Sequence, residues 1–109
     1  MSDRSINDTV PAAETSVTVY ISIGNSDDKL TQAEWSQYLV EMIARVVSIG
    51  HTHGAWYSLP HTPYQNACWC VEFTTAADLA EGREVATEVR RNWRQDSIAW
   101  AEVPRTDFI

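Results

Sequence analysis

The stretch that decides the fold is Val17 to Trp35, VTVYISIGNSDDKLTQAEW. Val17, Val19, Ile21 and Ile23 alternate with Thr18, Tyr20, Ser22 and Gly24, the period-two pattern of a strand with one buried face. A polar loop follows, Asn25 to Lys29, which holds the only lysine of the chain. Thr31 and Glu34 then stand at capping-box spacing, so a helix begins there.

Trp35, Leu39, Met42, Ile43 and Val46 recur at helical intervals until Gly50 supplies a stop. Farther on, 54–59 reads as a short aromatic strand, 60–65 as a turn with two prolines, and 66–74 as a strand with Ala67, Trp69, Val71 and Phe73 on one face. Thr75 and Asp78 repeat the capping spacing ahead of a second helix, whose stripe runs Leu79, Gly82, Ala86, Val89, Trp93. A last strand is expected over 97–103, where Ile98 and Trp100 alternate with Ala99, Ala101 and Val103 and either set could face the core. The order βαββαβ is that of the α+β ferredoxin-like sandwich, a four-stranded antiparallel sheet with two helices on one face.

A chain of 109 residues is the size of one domain, and its 44% hydrophobic residues with five tryptophans supply a core. We assign that domain to 17–103, between a flexible N-terminal tail at 1–16 and a C-terminal tail at 104–109. The N-terminal segment is too polar to offset its ordering entropy, and it lacks the apolar run of a secretory signal. No stretch approaches the roughly 20 apolar residues of a membrane span. Net charge is −7, from 15 acidic against 8 basic residues, which disfavours a nucleic-acid partner. Cys68 and Cys70 stand side by side on one strand with Cα atoms about 6.6 Å apart. Two reduced thiols, rather than a disulfide, fit a cytoplasmic setting.

If the first and third strands are taken to run parallel in mid-sheet, four polar segments share one edge: Asn25 to Lys29, His51 to His53, Thr74 with Thr75, and Arg94 to Ser97. A small polar or anionic ligand there would meet Asn25, Ser26, Asp27, Asp28, Lys29, His53, Arg94 and Asp96. Helix capping by Asp27 and Asp28, with Arg94 paired to Asp96, explains the same residues. A metal site from Asp27, Asp28, His51, His53 and Asp96 lacks diagnostic spacing, so neither a metal nor a cofactor is expected. The open sheet face is the second candidate surface. Tyr20, Trp56, Tyr57, Cys68, Cys70 and Trp100 would make it apolar enough for a homodimer interface.

No nucleophile motif, Cys-x-x-Cys pair or cofactor fingerprint is present, so no catalytic residue is assigned. The expected role is non-enzymatic binding. A small dimeric ferredoxin-like enzyme (isomerase, oxygenase or hydrolase) is the alternative; it would use His53 or Asp96 as base and require a closed pocket of about 300 Å³ or more. An inhibitor whose acidic surface imitates DNA is a third. GNSDDKL at 24–30, QNACWC at 65–70 and RQDSIAWA at 94–101 together resemble an uncharacterised family of small actinobacterial and actinophage proteins. That resemblance implies a phage or prophage accessory protein that binds a host protein or a small polar molecule. It implies no catalytic residue.

Overall fold

The computed structural model describes residues 16–105 and 107–109. The N-terminal tail expected at 1–16 therefore lies outside the described residues except for Ser16. The elements are β1 (Val17–Gly24), α1 (Gln32–Arg45), β2 (His51–Tyr57), β3 (Asn66–Phe73), α2 (Ala76–Asn92) and β4 (Ala99–Val103), with short 3-10 turns at Ser26–Asp28 and Val47–Ile49. The sheet order is β2-β3-β1-β4, and every neighbouring pair is antiparallel. This is the ferredoxin-like arrangement.

The direction of β3 corrects the sequence reading. Val17 lies opposite Phe73 and Gly24 opposite Asn66, so β1 and β3 run antiparallel in mid-sheet. The physical reason is the crossover: α1 carries the chain back to the end where β1 began, β2 repeats the direction of β1, and the turn at 58–65 reverses β3. The ends of the elements are thereby sorted differently. One edge gathers Asn25 to Lys29, the β2–β3 turn and Arg94 to Ser97, while His51 to His53 and Thr74 with Thr75 lie at the opposite edge.

Local chemistry sets the helices as read. Thr31 Oγ1 accepts from the Glu34 N–H at 3.2 Å and Glu34 Oε1 from the Thr31 N–H at 2.9 Å, closing the capping box. In α1 the buried positions are Trp35, Tyr38 and Met42, and Ile43 is turned outward. In α2 they are Gly82, Ala86 and Val89, as the stripe predicts. Val19, Ile21 and Ile23 of β1 meet Ala67, Trp69, Val71 and Phe73 of β3 beneath both helices, forming a single core.

Trp100 of β4, like Ile98 just before the strand, faces the helices. The Trp100 ring stacks on Phe73 at 5.7 Å between centroids, which places Ala99, Ala101 and Val103 on the open side.

Candidate functional site

At the first edge, the loop after β1 is held from every side. Asn25 is buried; its side-chain oxygen accepts from the Leu30 N–H at 2.9 Å, and its amide nitrogen donates to the Leu30 carbonyl at 3.0 Å. Its main-chain N–H donates to the Gln65 carbonyl at 2.8 Å. Ser26 accepts from the Asp96 N–H at 3.3 Å, and its own N–H donates to Gln95 Oε1 at 2.8 Å. Lys29 Nζ reaches Asp96 Oδ1 and the Arg94 carbonyl, both at 3.3 Å. Asp28 Oδ1 accepts from the Tyr64 N–H at 3.3 Å.

The edge thus brings together Asn25, Ser26, Asp27, Asp28, Lys29, Arg94 and Asp96. It does not include His53. The expected caps are also revised: Thr31, not Asp27 or Asp28, caps α1, and Asp96 pairs with Lys29, whereas Arg94 lies 3.9 Å from Glu34. Asp27, Asp28, Tyr64 and Arg94 all hold left-handed backbone, a conformation that aspartate tolerates and that costs Tyr64 and Arg94 some strain. Beside this loop the open face ends in a wide trough of about 440 Å³, walled by Ser22, Asn25, Ser26, Asp27, Tyr64 and Ser97 among others.

Gln95 is the residue that sequence reading missed. It is buried, accepts from Ser26 and donates to the Trp93 carbonyl at 3.1 Å, so it ties the loop after β1 to the exit of α2. A glutamine in a polar run carries no periodic signal, and nothing in the sequence sets it apart from its exposed neighbours.

His53 belongs to the opposite edge. A bulge between Thr52 and Gly54 turns it onto the open face, where Nε2 lies 2.9 Å from Glu72 Oε1 and its ring sits 4.8 Å from that of His51. The Ser16 hydroxyl first, and His53 second, hold the Glu72 carboxyl below the usual glutamate range.

The open face itself is smaller than expected. Tyr20, Trp56, Cys68 and Cys70 share it, with Trp56 opposite Cys68 and Tyr20 opposite Cys70. Tyr57 is not on it: it lies on the helix side, where its hydroxyl accepts from the Trp69 indole N–H at 2.9 Å. Trp100 is likewise on the helix side, against Phe73. Both corrections follow from strand parity, since each alternates with a residue whose face is fixed by its partner. Gly54 stands opposite Cys70, and a Cβ on it would meet nothing within 4 Å. The result is a shallow apolar depression of about 240 Å³ lined by Tyr20, Gly54, Trp56, Cys68 and Cys70. A hydrogen bond with Cys70 raises the Tyr20 phenol above its ordinary value.

No protein-family model matches the chain, and no curated protein matches it. Among solved structures, it is similar to a dimeric ferredoxin-like protein from an uncultured marine organism, with 11% identity over 90% of this chain and 95% of that one and a TM-score of 0.46.

Proposed function

We propose that this protein is a non-enzymatic binding module that pairs with a second copy of itself through the open sheet face. The observation that carries the reading is the juxtaposition of projecting rings and an apolar hollow on that face. Tyr20 is 46% and Trp56 57% exposed, and both rim the depression floored by Cys68, Cys70 and Gly54. A two-fold axis would let the rings of one copy enter the hollow of the other.

Area fits a weak pairing. Strands of 8, 7, 8 and 5 residues at about 3.3 Å per residue and about 4.8 Å spacing give a footprint of about 440 Å² per copy. Two such faces bury about 900 Å², the size of a weak, reversible interface. The face is uncharged at its centre, with His51, His53 and Glu72 confined to one end, so two acidic chains can approach there without facing like charges.

The filled core favours binding over catalysis. Trp35 and Trp69 are buried and Trp93 packs against the same core, its ring beside Tyr38, where the enzyme reading needs open space. We extend the proposal to an accessory protein of the phage or prophage setting that the sequence resemblance implies. The trough beside Asn25, Ser26 and Asp27 would then receive the host protein or small polar ligand at the rim of the dimer.

Sedimentation tests the interface. The wild type is expected to form a dimer that dissociates at about micromolar concentrations. Tyr20→Glu and Trp56→Glu, which place charge on exposed positions, should each remain folded and sediment as monomers. A wild type monomeric at about 100 μM would overturn the proposal.

A further inference from the structure

Among the described residues β4 is an edge strand, hydrogen-bonded to β1 alone. Alternate residues along its outer side therefore keep unpaired main-chain N–H and C=O groups, a template for another strand. The other edge, β2, is broken by its bulge at His53, a device that discourages strand addition. β4 has no such interruption in its pairing and is followed by Pro104 only after its last residue.

Above the β4 edge runs a cleft of about 150 Å³ between α2 and β4, lined by Arg83, Ala86, Thr87, Arg90, Ile98 and Trp100. Ala86, Ile98 and Trp100 give it an apolar side, and Arg83, Thr87 and Arg90 a polar one. A cleft of that volume holds one apolar group of about benzene size. Its two charged lining residues are both arginines, in a chain whose net charge is −7. Arg83 lies over the Trp100 ring at 5.9 Å and reaches Glu102 at 3.2 Å in an exposed pair. Arg90 donates one guanidinium N–H to the Gln95 carbonyl at 2.9 Å, and among the described residues its other donors have no partner. The two arginines stand seven positions apart on α2, about 10.5 Å along the axis.

The geometry points to a peptide-binding groove: the β4 edge adds an extended acidic peptide, which sets one apolar side chain in the cleft between Arg83 and Arg90. On an added strand, residues i, i+2 and i+4 face the helix, and i to i+4 spans about 13 Å. With an apolar residue at i+2 in the cleft, carboxylates at i and i+4 fall within reach of the two long arginine side chains. The pattern is acid-x-apolar-x-acid. It reads the same in both directions, so the added strand can run either way. Glu102 is the internal carboxylate that a peptide would displace from Arg83. This groove is independent of the dimer, because it opens on the helix side.

The test is calorimetric titration of the protein with acetyl-Ser-Glu-Thr-Leu-Thr-Glu-Ser-amide and its lysine counterpart, in which both glutamates are replaced. The glutamate peptide is expected to bind with Kd below about 1 mM and at least about tenfold tighter than the lysine peptide. The variant combining Arg83→Glu, at an exposed position, with Arg90→Glu, at a half-buried one, should reverse that preference. Methylating the peptide's main-chain nitrogens at one set of alternate residues should weaken binding about tenfold, and at the other set leave it unchanged. The monomeric Tyr20→Glu variant should bind as the wild type does, which separates this groove from the dimer. Absence of binding by the glutamate peptide, equal affinity for the lysine peptide, or indifference to both methylation patterns overturns the inference.

Discussion

Asn25 and Tyr38 are both buried polar residues, yet one is completed by its surroundings and the other is not. The Asn25 amide bonds Leu30 on both main-chain groups, so it acts as a small main-chain splint across the turn. The Tyr38 hydroxyl, fully enclosed near Trp35 and Trp93, has no hydrogen-bond partner among the described residues. Burial pushes its pKa up to about 12, against a smaller opposing pull from Arg90. Removing an unpartnered buried hydroxyl removes a desolvation penalty, so Tyr38→Phe is expected to leave stability unchanged or raise it by about 1 kcal/mol in urea unfolding. A loss above that size would mean that the hydroxyl has a partner. Sequence reading named Asn25 as a candidate ligand group, and in the fold its amide is engaged by Leu30. Side-chain identity announces hydrogen-bonding capacity; only the fold decides where it is used.

At the scale of elements, α2 lies close to the sheet because Gly82 has no side chain. A Cβ there would stand 3.0 Å from the Phe73 ring and 3.1 Å from Trp100. Phe73 is fully buried and stacked on Trp100, so neither ring can withdraw freely. Gly82→Ala should therefore lower stability by about 1–3 kcal/mol, outweighing the roughly 1 kcal/mol that alanine gains in helix propensity. Gly54→Ala, in open space on β2, is the control and should stabilise or do nothing; equal urea midpoints for both variants would contradict this packing. The helices were legible from Thr31, Glu34 and their apolar stripes, because capping and periodicity are local. The facing of β4 was not, since both of its alternating sets are largely apolar. Strand direction was misjudged for a related reason: it depends on the crossover path, and that error alone carried His53 to the wrong edge.

For the molecule as a whole, the two helices are lashed together at Glu41. Its Oε1 accepts from the Trp93 indole N–H at 2.8 Å, and its Oε2 from Arg45, which also reaches Glu88 at 3.0 Å. The indole first, then Arg45, holds the Glu41 carboxyl below its ordinary value of 4.5. A carboxyl with a lowered native pKa favours the folded state above its unfolded pKa, and that contribution disappears as pH falls through the native value. Glu72 has the same sign. Wild-type urea midpoints should thus decline as pH is taken below about 4.5, and Glu41→Gln should flatten the decline. Parallel profiles would show that Glu41 is not part of the acid response. The same charge distribution speaks against imitation of DNA: Lys29, Arg45, Arg83, Arg94 and Arg105 each stand beside a carboxylate, so the acids are interleaved with bases.

The parity of β2 leaves one more property in the molecule. Of the five tryptophans, Trp35, Trp69, Trp93 and Trp100 belong to the helix side, and Trp56 stands on the open face. The chain therefore carries its own optical label for that face: a water-exposed indole whose emission should be the reddest of the five and the first quenched by acrylamide. Whatever covers the sheet will be seen as a blue shift and a shielding of that single chromophore, without any dye attached.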